Sequence, residues 1–276
     1  MAVIARSVRS AAVPSPKDDL KLALELANLA DAITLERFRA ADLSVETKPD
    51  MTPVTEADRA AEEAIRERLA QARPDDAIVG EEYGDSEDAP SSRRRWIIDP
   101  VDGTKGYVRG IPVWATLLAL EDERSLTVGV VSAPALHRRW WAARREGAFA
   151  DDGLGPQRAI HVSAVTKLDD AHLSFASFGE WEKAGRLERL LELSRRCWRT
   201  RAFGDMLSYM FVAEGAVDIA GLELGVKLWD LAAPQIIVEE AGGRFTDLRG
   251  EPRADGGSGL ATNGLLHDAV LEIVGV

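Results

Sequence analysis

The sequence predicts an α+β N-terminal half joined to an α/β C-terminal half. Two long helical segments come first, and short β-branched and aromatic segments separated by charged turns follow them, as expected for an antiparallel sheet covered by helices. Beyond residue 156 the predicted strands and helices alternate, which is the rhythm of βαβ units. A Gly- and Pro-rich loop, residues 151–156, separates the two patterns.

These patterns divide the chain into three parts. Residues 1–14 are predicted to be a flexible tail. Residues 15–153 should form the N-terminal α+β domain and carry most of the candidate site residues. Residues 154–276 should form the C-terminal α/β domain and complete the site.

Helix-start signatures mark two places in the N-terminal half. Ser15, Pro16 and Asp18 combine an N-cap, a first-turn proline and a capping acid, so a helix should run to about residue 40. The capping box from Thr55 to Asp58 should begin a helix that ends near residue 72. Apolar runs predict strands at 77–79, 96–98, 113–120 and 126–132, and a hairpin across 140–150.

The C-terminal half should contain helices near residues 180–196, 205–214 and 230–240 and a short helix at its end. The predicted strands lie near 171–177, 198–202, 216–220, 243–246 and 260–262. Pro234 is expected in the first turn of its helix, where a missing amide costs little. Gly242 and Gly243 should end that helix.

The stretch with the clearest chemistry is W-I-I-D-P-V-D-G-T-K-G, residues 96–106. Asp99 should stand at the end of a buried strand, because Pro100 keeps the residue before it extended. Carboxylates as close as Asp99 and Asp102 repel each other unless a cation lies between them. The absence of a nearby His or Cys favours Mg²⁺ over zinc. Gly103 permits close backbone approach, and the amides after it would face an anion.

An ordinary loop is the alternative interpretation of this stretch, because Asp-Pro and Asp-Gly are common turn dipeptides. Other acidic motifs in the chain favour a site. Gly80-Glu81-Glu82 follows another apolar run, Asp58 lies in a capping box, and Trp229-Asp230 opens a helical segment far downstream.

Taken together, these motifs make the chain resemble the inositol monophosphatase family of Mg²⁺-dependent, lithium-sensitive phosphomonoesterases. Their order and spacing agree with the family from about Lys48 to the C-terminus. The resemblance implies a layered α-β-α-β-α fold and a homodimer. Within the family, residues 104–114 and 203–205 are similar to the bacterial histidinol-phosphate phosphatases.

The resemblance also implies two or three Mg²⁺ ions per site, with Mn²⁺ as a substitute. Glu81, Asp99 and the Val101 carbonyl would hold one ion. Asp99, Asp102 and Asp230 would hold a second. Glu81 would help to hold a third, weaker ion through water.

The implied catalytic residues surround the first ion. Thr104, backed by Asp58, would accept or orient the proton of a bound water, and Glu81 would contribute as a ligand. Amides at Gly103 and Thr104 would bind the phosphate. Glu82 and Lys48 are auxiliary candidates, and a solvated loop lysine is an equally good interpretation of Lys48.

The leaving-group contacts implied by the resemblance are Asp102, Asp205 and Glu223. Two acids in the C-terminal half would suit a cationic amine and an imidazole, which favours histidinol phosphate as substrate. Glu223 alone would equally suit the hydroxyls of inositol phosphate or another sugar phosphate, and Asp205 alone could be an N-cap. A non-catalytic relative would lack a metal carboxylate, and none is missing.

Composition narrows the class of protein. The net charge of −12 argues against non-specific nucleic-acid binding, and a lone Cys197 excludes an internal disulfide framework. The histidines are scattered singly, which predicts neither a zinc site nor a catalytic dyad. Without a membrane span or signal-peptide core, we expect a cytoplasmic enzyme whose partner is a small phosphomonoester, with no nucleic acid and no membrane.

Overall fold

A computed structural model describes residues 15–275, and the predicted tail, residues 1–14, lies outside them. The helices are α1 (Pro16–Arg37), α2 (Glu56–Ala72), α3 (Thr104–Val108), α4 (Phe178–Lys183), α5 (Leu187–Arg196), α6 (Asp205–Ala213), α7 (Leu228–Glu240) and α8 (His267–Val274). The strands are β1 (Val45–Thr47), β2 (Pro53–Thr55), β3 (Ala77–Gly80), β4 (Gly84–Asp85), β5 (Arg94–Asp102), β6 (Ala115–Asp122), β7 (Ser125–Ala133), β8 (Arg138–Ala143), β9 (Gly147–Asp151), β10 (Arg158–Ile160), β11 (His172–Ser174), β12 (Arg199–Arg201), β13 (Ile219–Leu224), β14 (Arg244–Thr246) and β15 (Ser258–Thr262).

Two sheets organise the chain. The larger has the order β10-β9-β8-β7-β6-β5-β3-β4, and the smaller has the order β12-β11-β13-β15-β14. The larger sheet is antiparallel except where β3 runs parallel to β5. Strand β11 runs parallel to β12 and β13, whereas β15 is antiparallel to both of its neighbours. A separate hairpin, β1-β2, precedes α2.

Helices cover the outside of both sheets and fill the space between them. On β5, Trp96 and Ile98 face the core under α1 and α2, whereas Ile97 faces α6 and α7, because neighbouring strand residues point to opposite faces. Residues of α4, α5 and α8 pack on the far face of the smaller sheet. The predicted layered α-β-α-β-α fold is therefore confirmed.

Strand β5 is longer than the sequence analysis predicted. It continues through Asp99 and Pro100 to Asp102, so the prediction that the strand ends at Asp99 is wrong. The register to β6 shifts by one residue between Asp99 and Asp102, and the pairing to β3 stops at Ile98. Pro100 occupies this bulge, where its missing N–H breaks no ladder hydrogen bond.

Two helix predictions in the C-terminal half are also wrong. The predicted helix 180–196 is two helices, because Gly185 adopts a left-handed φ of 68° between them. Pro234 is the seventh residue of α7 rather than a first-turn residue. A proline there removes the amide that would bond to the carbonyl of Asp230.

The predicted strand 216–220 forms at Ile219–Leu224 instead.

The predicted boundary between the two halves falls in the loop after β9. Strand β10 follows that loop and still pairs with β9 in the larger sheet. Helices α6 and α7 come from the C-terminal half, yet they share a core with the larger sheet. The division at residues 153 and 154 remains a proposal, and the strands change sheet only after Ile160. No helix within residues 15–275 is long and apolar enough to cross a membrane.

The contact between β7 and α7 is close enough to test. A Cβ at Gly129 would lie 2.4 Å from Cγ2 of Ile236 and 2.9 Å from the carbonyl oxygen of Ala233. Gly129→Ala should therefore lower the free energy of unfolding by about 1–3 kcal/mol through overpacking. Denaturation by urea, followed by circular dichroism, measures this change. Gly155→Ala, with no heavy atom within 4 Å, should change stability by less than about 0.5 kcal/mol; equal effects would contradict the packing argument.

Candidate active site

Three carboxylates from two elements converge at the bulged end of β5. Asp99 and Asp102 come from β5, and Asp230 comes from the first turn of α7. One oxygen of each lies within 4.8 Å of the others, so the trio could hold a metal ion. On a regular strand, residues three apart face opposite sides. The bulge places Asp99 and Asp102 on the same side, so both can face α7.

Backbone amides hold each carboxylate of the trio. Asp99 Oδ1 accepts from the amide of Val101 at 3.0 Å, and Asp102 Oδ2 accepts from the amide of Met206, in α6, at 2.9 Å. The second bond crosses from β5 to the C-terminal half of the chain. It therefore fixes the distance between the two halves of the site.

Asp230 is not the N-cap that the sequence analysis considered. Lys227 is the N-cap of α7, and its amide donates to Asp230 Oδ2 at 2.6 Å. Asp230 is thus the acid of a capping box, in which its Oδ2 is bonded to the start of the helix while its Oδ1 has no hydrogen-bond donor within residues 15–275. Its side chain is held rigid at the point where α7 meets β5.

Burial and mutual repulsion raise the pKa values of the trio. Burial is the main cause for Asp99 and Asp102, and neighbouring carboxylates add to it: Glu81 is the foremost for Asp99, and Asp205 for Asp102. Burial also raises the pKa of Asp230 to about 6, although the amide of Lys227 opposes the shift. Carboxyl groups with raised pKa values suit a hard divalent cation, because the bound ion stabilises their charged form.

Glu81 and Glu82 lie in the turn after β3. The amide of Glu82 donates to Glu62 Oε2 at 2.8 Å, and a Cβ at Gly80 would collide with the Glu62 carboxylate. Lys48 Nζ lies 2.8 Å from Glu81 Oε1 and 2.6 Å from Glu82 Oε1. Lys48 is therefore not a solvated loop lysine but an ion-pair partner of both acids.

Burial and pairing shift the pKa values of Lys48 and Glu82. Burial acts to lower the pKa of Lys48, but its two hydrogen-bonded carboxylates outweigh that effect and raise it. Burial raises the pKa of Glu82 to about 7. Glu81 lies outside the trio that converges within 4.8 Å, yet it lines the same cleft.

Thr104 and Asp58 are in contact, as the resemblance implied. Thr104 Oγ1 lies 2.8 Å from the carbonyl oxygen of Val101 and 3.3 Å from Asp58 Oδ1. Asp58 is completely buried, and its other oxygen accepts from the amide of Thr55 at 2.9 Å and from the Thr55 hydroxyl. Burial raises the pKa of Asp58, so its carboxylate is a better proton acceptor than an exposed one.

Gly103 makes the turn from β5 into α3. Its φ is +84°, and a Cβ there would lie 2.9 Å from the carbonyl oxygen of Val113, so a larger residue would strain the turn. The amides of Gly106 and Tyr107 donate to the carbonyl oxygen of Gly103, so the amides of α3 that lack a partner within the helix are those of Thr104 and Lys105. They border the same cavity as Asp99 and Asp102.

The metal-binding end opens into a wider cleft. A cavity of about 180 Å³ at the carboxylate trio adjoins one of about 500 Å³ that reaches into the C-terminal half. Residues that line both are Thr52, Glu81, Asp102, Lys105, Asp205 and Asp230. A cavity of about 600 Å³ beside α1 is larger, but of the two acids that line it Asp31 is paired with Arg139 and Asp151 accepts from the amide of Gly153.

Asp205 and Glu223 both line the wider part of the cleft. Gly204, not Asp205, is the N-cap of α6, and Asp205 has a φ of +45°, so the N-cap interpretation of Asp205 is wrong. Glu223 is only 7% exposed, and its Oε2 accepts from the hydroxyl of Tyr209 at 2.7 Å. Burial raises the pKa of both acids, that of Glu223 to about 8.

Some residues of the cleft escaped the sequence analysis. Tyr209, Lys105 and Glu180 line the cavity, and Glu62 supports the turn at Glu81. Tyr209 lies four residues after Asp205 on α6, so the helical spacing places both on one face and could have indicated it. Nothing in the sequence around Glu180 marks it, because it reaches the cleft only through the fold.

Comparisons with known proteins identify the family of the chain. Residues 16–274 match the inositol monophosphatase family. A histidinol-phosphatase of Streptomyces coelicolor is 54% identical over 263 residues, which cover 94% of this chain and 97% of that protein. A histidinol-phosphatase of Mycobacterium tuberculosis is 56% identical over 255 residues, which cover 92% and 96%.

Solved structures show the same fold. The extragenic suppressor protein suhB of Bartonella henselae superposes with a TM-score of 0.83 at 28% identity, and the match covers 93% of this chain and 98% of that one. The family that the motifs predicted is thus confirmed by both sequence and structure. The chain belongs to the inositol monophosphatase family.

Proposed function

We propose that the chain is a Mg²⁺-dependent phosphomonoesterase that hydrolyses histidinol phosphate to histidinol and phosphate. The observation that carries the proposal is the joined cleft, in which a carboxylate trio lies beside the separate acids Asp205 and Glu223. The first group suits a metal and a phosphate, and the second suits a cationic leaving group. The names of the two relatives above 50% identity support the substrate.

The residues present fit two Mg²⁺ ions. Glu81, Asp99 and the Val101 carbonyl would hold one, and Asp99, Asp102 and Asp230 would hold the other. When bound, the ions neutralise the phosphate dianion and lower the pKa of a coordinated water. A third, weaker ion near Glu81 belongs to the same proposal.

Thr104 would orient the attacking water. Its hydroxyl has one proton to donate, to Val101 or Asp58, so a lone pair of Oγ1 remains to accept from water in the cleft. Asp58 holds the hydroxyl in this orientation and offers a buried carboxylate toward which a proton can move. Amides at Gly103 and Thr104 would bind the phosphate oxygens.

Asp102, Asp205 and Glu223 would contact the leaving group. A protonated amine is a strong donor to two carboxylates, and charged hydrogen bonds are about twice as strong as neutral ones. Inositol 1-phosphate is the second candidate. Glu223 can accept hydrogen bonds from sugar hydroxyls as well as from an ammonium group.

A homodimer and a cytoplasmic location remain predictions from the sequence, and the division into two domains remains a proposal. Light scattering after gel filtration measures the mass of the particle.

A substrate panel tests the function. Phosphate release from histidinol phosphate should exceed release from inositol 1-phosphate and fructose 1,6-bisphosphate in kcat/KM, because only the first carries a cationic leaving group. Asp205→Asn should lower kcat/KM for histidinol phosphate by about ten- to a hundredfold, the effect of losing a charged hydrogen bond. Inositol 1-phosphate should hardly respond to the substitution.

The matched control for this experiment is Asp169→Asn, an exposed acid of the same half that should leave both substrates unchanged. Equal losses for the two substrates in Asp205→Asn would mean that Asp205 is structural. A higher kcat/KM for inositol 1-phosphate in the wild type would replace the proposed substrate.

Metal binding should depend on pH in a defined direction. The folded pKa of Asp230, about 6, exceeds its reference value of 3.8, so this group stabilises the metal-free fold below about pH 4, and that contribution is lost as pH rises through 6. Mg²⁺ competes with the same proton. The increase in Tm on adding Mg²⁺ should therefore be larger at pH 8 than at pH 5.

Asp99→Asn provides the specific variant for this measurement. It should fold, because it relieves carboxylate repulsion, yet lose both turnover and the Mg²⁺-induced rise in Tm. Asp85→Asn, an exposed acid on β4, should keep both. Full activity of the wild type after exhaustive chelation would refute the metal assignment.

Thr104→Ala should lower kcat by a factor of about 10² or more and change KM little, because the hydroxyl acts on the nucleophile and not on substrate binding. Thr104→Ser retains a hydroxyl and should recover most of the activity. Steady-state kinetics at saturating Mg²⁺ measures both. A near-normal kcat in the alanine variant would show that Thr104 has another role.

A further inference from the structure

A third acid, Glu180, faces the same end of the cleft as Asp205 and Glu223. It lies on α4, is half-buried and lines the 500 Å³ cavity. Within residues 15–275 its carboxylate forms neither a hydrogen bond nor an ion pair. Because this carboxylate is half-buried, lines the cavity and has no protein partner in that part of the chain, it is available to a ligand that enters the cleft.

A buried tryptophan fixes the position of Glu180. The next residue, Trp181, is fully buried, and its Nε1 donates to the carbonyl oxygen of Leu222 at 2.6 Å. Leu222 immediately precedes Glu223 and lies at a bulge in β13 with a φ of +57°. One hydrogen bond therefore ties the segments that carry Glu180 and Glu223 to each other.

The charges at this end of the cleft repel one another. Burial is the main cause of the raised pKa values of Asp205 and Glu223; the charge of Glu180 adds to both shifts, whereas Lys105 opposes that of Asp205 and the hydroxyl of Tyr209 opposes that of Glu223. Lys105 and Lys227 also line the cleft, but neither forms an ion pair with these acids in the described part of the chain. Lys105 follows Thr104, at the end of the cleft that is proposed to bind phosphate, and Lys227 is the N-cap of α7.

The three acids are arranged for an organic cation rather than a metal ion. The carboxylates that converge closely enough to hold one ion are Asp99, Asp102 and Asp230, and no such group among residues 15–275 includes Glu180 or Glu223. Glu223 is nine-tenths buried, and among the described residues a donor reaches only its Oε2. Its second oxygen thus remains for a ligand in the cavity.

We infer that Glu180 is a specificity-determining residue that binds the positively charged end of the leaving group. This inference rests on the proposed function. The ligand class is a phosphate ester of an amino alcohol whose ammonium, and imidazole when protonated, lie among Glu180, Asp205 and Glu223. An alkylammonium is charged at neutral pH, so it would pair with Glu180 throughout the working range.

The test compares Glu180→Gln with the matched variant Glu182→Gln, an exposed acid on the same short helix. Glu180→Gln should lower kcat/KM for histidinol phosphate about tenfold, mainly through a higher KM. This loss is at the lower end of the range for a charged hydrogen bond, because the site is half-exposed. Its kcat/KM for inositol 1-phosphate should stay within about twofold. Glu180→Asp should recover part of the loss, and Glu182→Gln should change neither substrate.

Calorimetry with histidinol, which carries no phosphate, separates this inference from the proposed function. Histidinol should bind about tenfold more weakly to Glu180→Gln than to the wild type, with an unchanged Tm. A wild type that prefers histidinol phosphate, together with a variant that binds histidinol equally well, would overturn the role of Glu180 alone. A wild type that neither hydrolyses histidinol phosphate nor binds histidinol would overturn both.

Discussion

The repulsion among three converging carboxylates is the constraint on which the rest of the structure depends. Asp99, Asp102 and Asp230 lie within reach of one ion, and because Asp99 is buried and the other two are half-buried, water relieves their mutual charge only in part. The fold must hold them together at a cost in stability. It does so with backbone amides, since the amides of Val101, Met206 and Lys227 each bond to one member of the trio.

Two structural irregularities make that convergence geometrically possible. The bulge at Pro100 turns Asp99 and Asp102 toward the same side of β5, which a regular pleat would not do for residues three apart. The contact of Gly129 with Ile236 brings α7 close to the larger sheet and so brings Asp230 to β5. The site is therefore assembled from both halves of the chain, and the sheet-to-helix packing sets its dimensions.

The two ends of the cleft differ in how closely their acidic side chains are spaced. At the end that holds the carboxylate trio, the acids lie close together, and under the proposed function they require cations before a phosphate dianion can approach. At the other end, Glu180, Asp205 and Glu223 are spread around a cavity that suits a larger, cationic group. Asp205 stands between the two ends, because its charge also affects Asp102. Under the proposed function, Asp205 therefore couples the choice of substrate to the carboxylate trio.

Local sequence patterns determined where helices begin and which residue types form the candidate site. The capping boxes at Ser15 and Thr55 began helices where predicted, because a cap satisfies amides a few residues away. The D-P-V-D-G-T motif indicated a cation, because its two carboxylates repel each other without one, and a phosphate, because the amides after its glycine would face an anion. Only the tertiary structure decided how Asp230 and Glu180 reach β5 and the cleft. Their positions depend on the packing of α7 against Gly129 and of Trp181 beneath Leu222, which are contacts between residues far apart in the chain that no local pattern encodes.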